Sequence, residues 1–319
     1  MATNKPKKTA NKSKNKSTKT AVKSEKTEKP AVVAAEKKVE NEKVEKPEVK
    51  TEEKKVEEKK ECTFFKTFFA KKCDSKENIL TIFHDKKLYG ALIGEVVGTL
   101  LLSIVLLTLG AYQPLYMFFI VIGIVLMTFG LSGSHLNPLI TAGMMATRRV
   151  SAIRGVLYIL AQILGAWFGY LIVNAFFSAG AMTTELPAMA PVANEMFWIV
   201  TMVEFFGSIL IGFAFARALQ YKRSALTFAT VVAGGVTIAF IAVIVISSTF
   251  LELSSNFMMN PAVALMYQIL PTGGDNVADL LASIALALLT YVIFPVAGGI
   301  IGFFVSDAAS VLKEEKLEM

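Results

Sequence analysis

The chain has 319 residues, of which 54% are hydrophobic, with a mean hydropathy of +0.52 and a formal net charge of +7. This hydrophobic content is high for a soluble protein, so the composition favours a membrane protein. The charge is unevenly placed, because residues 1–61 hold 19 Lys and 12 Glu whereas the rest of the chain is electrically balanced.

Residues 1–61 contain no aromatic residue and almost no large apolar one. Such a segment cannot bury enough surface to offset its ordering entropy, so we predict a disordered, Lys/Glu-rich cytoplasmic tail. Two interpretations stay open: a solvated charged extension, or a segment whose first twenty residues contact anionic lipid or nucleic acid through charge alone. We expect no secretory signal peptide in this polar region, and therefore membrane insertion through the first internal helix.

Residues 62–88 are predicted to form a juxtamembrane segment. It contains both cysteines of the chain, Cys62 and Cys73, at a spacing that fits no metal motif. Because we place this segment in the cytosol, we expect two reduced thiols.

Six apolar runs follow, each long enough to cross a bilayer, which takes about 20 residues. We predict spans over 90–110, 114–131, 152–177, 196–217, 225–250 and 279–305. Two shorter apolar segments begin at Asn137 and at Asn260. They are too short to span, so we predict that they are re-entrant half-helices.

The charges between the spans predict the orientation of the chain. Arg148, Arg149 and Arg154 follow the first short segment, whereas the only charged residues of the 178–195 and 271–279 loops are acidic. By the positive-inside rule, both termini, including the predicted C-terminal tail 307–319, lie in the cytoplasm of a multi-pass cell-membrane protein.

The hydrophobic part, 89–306, repeats itself over about 89–177 and 196–306. "GEVVGT" with Glu95 and "VEFFGS" with Glu204 open the two halves, and "SGSHLNPLI" and "SSNFMMNPAV" follow in turn. Three spans per half is an odd number, so the second copy is inverted in the membrane and the two Asn-Pro segments enter from opposite sides.

Asn-Pro is a signal for the start of a helix, because Asn is a preferred N-cap and Pro is tolerated at the first helical position. Asn137-Pro138 and Asn260-Pro261 therefore predict two half-helices that meet N-terminus to N-terminus near the midplane. Their positive dipole ends would repel cations, and their amide N–H groups would donate hydrogen bonds into a pore.

Glu95 and Glu204 are intramembrane acids, which are costly and often functional. The interpretation that we favour is that each carboxylate braces the unwound loop of its own half by accepting backbone N–H bonds. The alternative is a proton relay.

With these motifs, residues 89 to 306 resemble the aquaporin, or major intrinsic protein, family. The resemblance is carried by the two Asn-Pro boxes, the two acids, "AQILGA" in the third span and "PVAGGIIG" in the sixth. It implies an all-α membrane protein with six transmembrane helices and two re-entrant half-helices, assembled as a homotetramer with a pore in every subunit. It also implies passive passage of water and small uncharged solutes, such as glycerol.

The resemblance assigns site residues by position. The two boxes are Asn137-Pro138-Leu139, with Leu in place of the usual Ala, and Asn260-Pro261-Ala262. His135 matches the loop His of the family and is expected to support the pore.

The selectivity filter departs from the family pattern. Phe257 aligns with its loop position and Phe118 with its second-helix position, or Met117 if the alignment shifts by one residue. Val263 stands where the family usually has Arg, which removes a positive charge and up to five donors. We expect a relaxed, weakly selective outer filter; the fifth-helix wall is left unassigned, and the markers that separate water from glycerol channels disagree.

Two alternatives belong to other functional classes. An ion-coupled secondary transporter also uses inverted repeats and broken helices, but it would place acids at the unwound segments, where only Glu252 is near. A membrane scaffold with a closed pore and an active basic tail is the second. We find no catalytic constellation, metal motif or phosphate-binding loop, so we expect no enzymatic activity and no cofactor.

Overall fold

A computed structural model describes residues 82–109, 113–179, 197–221, 224–250, 257–269 and 277–317. The tail predicted over 1–61, both cysteines and Glu252 lie outside the described residues, as do most of the loops predicted over 178–195 and 271–279. Within the described ranges every regular element is a helix, which agrees with the predicted all-α class.

The helices follow the predicted pattern of spans and half-helices. Six helical segments of the described residues are long and apolar enough to cross a membrane, and the sixth of them, Leu281–Leu312, joins two of the helices listed next. The elements are α1 (Lys86–Thr108), α2 (Pro114–Ser132), α3 (Pro138–Ala146), α4 (Ala152–Ser178), α5 (Phe197–Ala218), α6 (Ala225–Phe250), α7 (Pro261–Ala264), α8 (Val277–Leu288) and α9 (Phe294–Leu317).

Local signals explain most of the helix starts. Pro occupies the first position of α2, α3 and α7, where no N–H is needed. The Asp85 side chain caps α1, and the Ser151 side chain caps α4. Gly133, in the left-handed region with φ of 83°, ends α2 and turns the chain back toward α3.

The second half is less regular than the sequence predicts. The predicted span 279–305 is built from α8 and α9, which are joined by a π-helical turn at Leu289–Ile293. The half-helix α7 has only 4 residues and continues as a π-helical turn at Leu265–Ile269. Helical periodicity marks an apolar stretch but does not distinguish π-helical from α-helical turns, so neither insertion was predicted.

Two close helix pairs repeat the same arrangement in the two halves. In the first half α1 crosses α4, where a methyl group on Gly165 would overlap the carbonyl oxygen of Val96. In the second half α5 crosses α9, where a methyl group on Gly302 would overlap the carbonyl oxygen of Ile209. Small residues thus let the backbones approach, as is common in membrane helix pairs. The halves meet where α2 packs on α6 and α3 packs on α9.

One end of the bundle is basic. Arg149, after α3, pairs with Asp307 of α9 at 2.6 Å, and Arg217, at the end of α5, donates to Ser310 of α9 at 3.1 Å. Asp307 and Ser310 are neighbours on the same face of α9, so both arginines lie at the same end. We call this end, which also carries Arg148, the basic face.

Candidate functional site

Each half-helix is capped by the Asn that precedes it. Oδ1 of Asn137 accepts the N–H of Leu139 at 3.1 Å, and Oδ1 of Asn260 accepts the N–H of Ala262 at 3.1 Å. Both caps have extended backbone, as an N-cap requires. The capping role predicted from the Asn-Pro sequence is therefore present in both halves.

Each Asn side chain also forms a hydrogen bond to the backbone of the opposite half. Nδ2 of Asn137 donates to the carbonyl of Met259 at 2.8 Å, and Nδ2 of Asn260 donates to the carbonyl of Leu136 at 3.1 Å. Each acceptor is the residue just before the opposite Asn. An amide nitrogen has two protons, so one N–H of each Asn is used between the halves and one is left for the interior. The sequence predicted the donors but not this reciprocal pair.

Both acceptor residues have an unusual backbone. Leu136 has φ of 53° and Met259 has φ of 43°, in the left-handed region that non-glycine residues rarely adopt. Such a conformation costs about 1–3 kcal/mol and persists only where the surroundings hold it. Here the carbonyl is held by the opposite Asn and the N–H by a buried glutamate.

Glu95 and Glu204 are the buried glutamates that accept the N–H groups of Leu136 and Met259. Glu95 accepts the N–H groups of His135 at 3.0 Å and Leu136 at 2.7 Å, and Glu204 accepts those of Met258 at 2.7 Å and Met259 at 2.9 Å. Both glutamates are fully buried. The hydrogen bonds expected of bracing residues are present, and each carboxylate accepts them through both oxygens.

The first half contains a longer polar network. Nε2 of Gln162 donates to Glu95 at 2.7 Å and to the hydroxyl of Thr141 at 2.9 Å. The same hydroxyl lies 3.2 Å from Nδ1 of His135. This network fixes the orientation of the His135 ring beside the cavity. Gln162 and Thr141 were not predicted as partners, although "AQILGA" and the first box contain or adjoin them.

A narrow cavity of about 40 Å³ runs past the paired caps. One water needs about 10–15 Å³, so the cavity has room for about three waters. Its polar contributions come from the Asn137 and Asn260 caps, Ser134 and His135. The other lining residues are Leu102, Leu106, Val121, Ile124, Val125, Leu136, Ile140, Ile211, Val232, Val236, Phe240, Met258 and Met259.

None of the expected filter residues is on this lining. Val263 is fully buried and Phe257 is 4% exposed, whereas Phe118 is half-buried and has its ring edge against Phe119. On α2 the lining residues Val121 and Val125 are spaced by four. Met117 lies four residues and Phe118 three residues before Val121, so the same helix face continues to both, and the alternative between them is kept.

On α6 the cavity is lined by Val232, Val236 and Phe240. They are spaced by four residues and form one stripe along the helix. They precede 241–248, where the apolar run before the second box is longer than the family pattern, so the fifth-helix position of the filter stays unassigned. Among the described residues, no group of three or more His, Cys, Asp or Glu side chains is placed to hold a metal ion.

Comparisons with known proteins identify one family. The model of the major intrinsic protein family matches residues 83–306. A probable aquaporin PIP2-5 of Arabidopsis thaliana is 37% identical over 100 residues, which cover 31% of this chain and 34% of that protein. A probable aquaporin PIP2-1 of Oryza sativa subsp. japonica is 52% identical over 52 residues, which cover 16% of this chain and 18% of that protein.

The alignments therefore cover about a third or less of these relatives. Among solved structures, an aquaglyceroporin from Plasmodium falciparum matches with a TM-score of 0.47 and 18% sequence identity. The match covers 69% of this chain and 94% of that one.

Proposed function

The chain belongs to the major intrinsic protein family, and we propose that it is a passive channel for water and small uncharged solutes such as glycerol. The observation that carries this proposal is the reciprocal pair of Asn caps beside a narrow cavity. Asn137 and Asn260 fix two helix N-termini against each other, and the cavity passes both of them.

The chemistry of the cavity suits a polar solute without charge. The free N–H of each Asn is a donor near the midplane, and the unwound backbone before each box provides carbonyl acceptors. The two helix N-termini place partial positive charge at the same point, which opposes the entry of cations. Apolar walls elsewhere let a solute pass without being held.

The described parts of the unwound segments favour a channel over an ion-coupled transporter. Residues 133–136 and 257–259 contain no acidic side chain. The nearest carboxylates, Glu95 and Glu204, accept backbone N–H bonds and are not on the cavity lining. Within the described residues, no carboxylate therefore remains to hold a coupling ion at the cavity.

The outer filter is proposed to be weakly selective. Phe257, Val263 and Met117 or Phe118 provide no charge, so neither a strong positive field nor a fork of donors would restrict the outer end. Proton exclusion would then depend mainly on the dipole ends at Asn137 and Asn260.

We further propose the membrane context that the family resemblance implies. The channel domain is a multi-pass protein of the cell membrane, and the basic face and both termini are cytoplasmic. It assembles as a homotetramer with one pore per subunit. The Lys/Glu-rich residues 1–61 act outside the pore, so their deletion leaves permeability unchanged and alters only association with anionic lipid or nucleic acid.

The proposal is tested by stopped-flow light scattering on liposomes that contain the purified chain. Osmotic gradients of an impermeant solute, glycerol and urea are applied in turn, with a pH-sensitive dye inside the vesicles. We expect faster water and glycerol movement than in empty liposomes and no added proton leak. Transport that requires a sodium or proton gradient would support the transporter instead, and no acceleration in any gradient would exclude a channel.

A further inference from the structure

Three stripes of cavity-lining residues run toward the basic face and end at the same kind of residue. On α2 the stripe of Val121 and Val125 is followed four residues later by Phe129. On α5, Ile211 is followed four residues later by Phe215. Four residues of α-helix rise about 6 Å, so each phenyl group lies one turn beyond the cavity on the face that lines it.

The third stripe belongs to α6, which runs in the opposite direction. Its lining residues are Phe240, Val236 and Val232, and the next position toward the basic face is Phe228. Three helices from both halves of the repeat thus place phenylalanine at the same level. We call Phe129, Phe215 and Phe228 the phenylalanine constriction.

The Phe228 ring contacts both of the other rings. The centroids of Phe129 and Phe228 are 4.7 Å apart, and those of Phe215 and Phe228 are 5.4 Å apart, edge to face. Phe215 is 1% exposed and Phe228 is 0% exposed. Both side chains are therefore almost completely buried one turn beyond the cavity lining.

Phe215 also packs against aromatic side chains outside the constriction. The Phe215 centroid lies 5.9 Å from His135, which lines the cavity, and 6.0 Å from Phe303 of α9. Phe303 fills the space beside Gly143 of α3, where an added methyl group would overlap its ring. The constriction is thus packed against the helix that begins at the first Asn-Pro box.

From this geometry we infer that Phe129, Phe215 and Phe228 form a second constriction, on the side of the basic face, which determines the size and polarity of the solutes that pass. The inference deepens the proposed channel function and depends on it. A ring of phenyl groups provides no donor or acceptor, so a polar solute loses hydration there without compensation. Hydrophobic constrictions of this kind regulate passage by dewetting.

The consequence for selectivity differs from that of a charged filter. Water is small and passes when a ring rotates slightly, whereas glycerol has to shed more hydration and needs a wider opening. The constriction thus supplies the discrimination that the outer end, with Val263 in place of Arg, does not.

Phe228→Leu and Phe215→Leu test the inference, because Leu keeps the site apolar but narrows the side chain. Phe205→Leu is the matched control, since Phe205 is a partly buried ring on α5 that contacts Phe294 and is not on the cavity lining. In proteoliposomes we expect either test variant to raise glycerol permeability at least about threefold, and water permeability less, because widening an apolar constriction relieves the larger solute more. The control should match the unsubstituted chain.

The outcomes separate the two proposals. If the unsubstituted chain conducts, and both test variants fold but keep its glycerol-to-water ratio, the inference is overturned and the channel function stands. If neither the unsubstituted chain nor the test variants exceed empty liposomes, the channel function fails and the inference fails with it. Phe129→Leu, at the half-buried member of the constriction, serves if the other variants do not fold.

Thiol labelling gives a readout that does not depend on flux. Val232→Cys, in a background with Cys62→Ser and Cys73→Ser, places a thiol on the cavity side of the constriction. We expect a water-soluble methanethiosulfonate reagent added at the basic face to label it slowly, and several times faster when Phe228→Leu is also present. Equal labelling rates with and without Phe228→Leu would contradict a barrier at these rings.

Discussion

At Leu136 and Met259 the backbone takes up a conformation that only its neighbours maintain. In each case a buried glutamate accepts the N–H and the Asn of the opposite half donates to the carbonyl. The costly φ angles thus position the two carbonyls that join the boxes. Replacing either kind of support should therefore affect stability and conduction together.

Glu204→Gln should weaken the second half of this arrangement. One carboxylate oxygen becomes an NH₂ group that faces an N–H donor, so either Met258 or Met259 loses its acceptor. A buried unsatisfied N–H costs about 1–3 kcal/mol, and we expect a lower unfolding temperature in detergent and reduced water permeability. Glu204→Ala should be at least as damaging, and unchanged melting and permeability in both variants would show that the bracing bonds contribute nothing.

Asn260→Asp separates capping from the bond between the halves. Asp is as good an N-cap as Asn, so the bond from Ala262 is kept. The donor to the Leu136 carbonyl is lost, and a negative charge enters near the two helix N-termini. We expect slower water movement and a measurable cation or proton leak, followed with a pH dye or by electrical recording.

The equivalent change in the first half, Asn137→Asp, should act in the same direction, because the bond to Met259 has the same geometry. If both variants conducted water normally and excluded protons, the paired caps would not control the interior.

At the residue scale, the sequence predicted what depends on neighbours in the chain. The Asn caps follow from Asn-Pro alone, because capping acts over two or three residues. The reciprocal bonds join residues 122 and 124 positions apart, and no local pattern encodes them. The role of Phe228 was missed for the same reason, since a phenylalanine in an apolar helix has the same pattern whether it faces lipid or a cavity.

At the element scale, the spans were predictable because each is set by an apolar run and by local signals at its ends. α6 has the predicted bounds 225–250, and α2 and α4 each extend one residue further at the C-terminal end. The π-helical turns after Ala264 and Leu288 were not predictable, because extra turn residues leave the hydrophobic run unchanged. The close helix crossings were indicated only by clustered glycines.

Those crossings give an element-scale prediction. A methyl group on Gly302 would overlap the backbone of α5 at Ile209, whereas nothing lies within 4 Å of the position that a methyl group on Gly123 would occupy. Gly302→Ala should therefore push α9 from α5 and lower the unfolding temperature. Gly123→Ala should be neutral, or should stabilise α2 by about 0.5–1 kcal/mol, because Ala is the better helix former.

Thermal unfolding in detergent, followed by intrinsic fluorescence, compares these two variants directly. Equal melting temperatures would mean that α9 and α5 tolerate a wider separation than the described packing allows.

For the molecule as a whole, the two halves of the inverted repeat have matching contacts at the half-helices and differ in the contacts around them. Both halves share a glutamate, an Asn cap and a glycine-mediated helix pair. In the first half Gln162 adds a third donor to the glutamate, whereas the two bonds described for Glu204 both come from the backbone. The repeat was recognisable from sequence because the shared residues are the ones that hold the two half-helices.

Two ion pairs at the basic face connect distant parts of the molecule, and their burial predicts unequal contributions. The Arg149 and Asp307 side chains are 16% and 22% exposed, and this pair ties the first re-entrant segment to α9. Arg149 also lies 5.8 Å from the Phe303 ring, behind the phenylalanine constriction. Asp307→Asn should cost about 1–2 kcal/mol, since it leaves a largely buried guanidinium without its charged partner.

The pair of Asp85 with Arg154 is more open to solvent, with Asp85 38% exposed, so Asp85→Asn should change the unfolding temperature little at neutral pH.

The N–H of Lys87 and the Arg154 guanidinium lower the pKa of Asp85. Its contribution is therefore present above the ordinary Asp pKa of about 3.9 and is lost as the pH falls through the lowered value. The small difference in melting temperature between Asp85→Asn and the unsubstituted chain should shrink as the pH falls below about 3.9. Asp307→Asn should already melt lower at neutral pH. A larger effect of Asp85→Asn at neutral pH would show that exposure does not rank these two pairs.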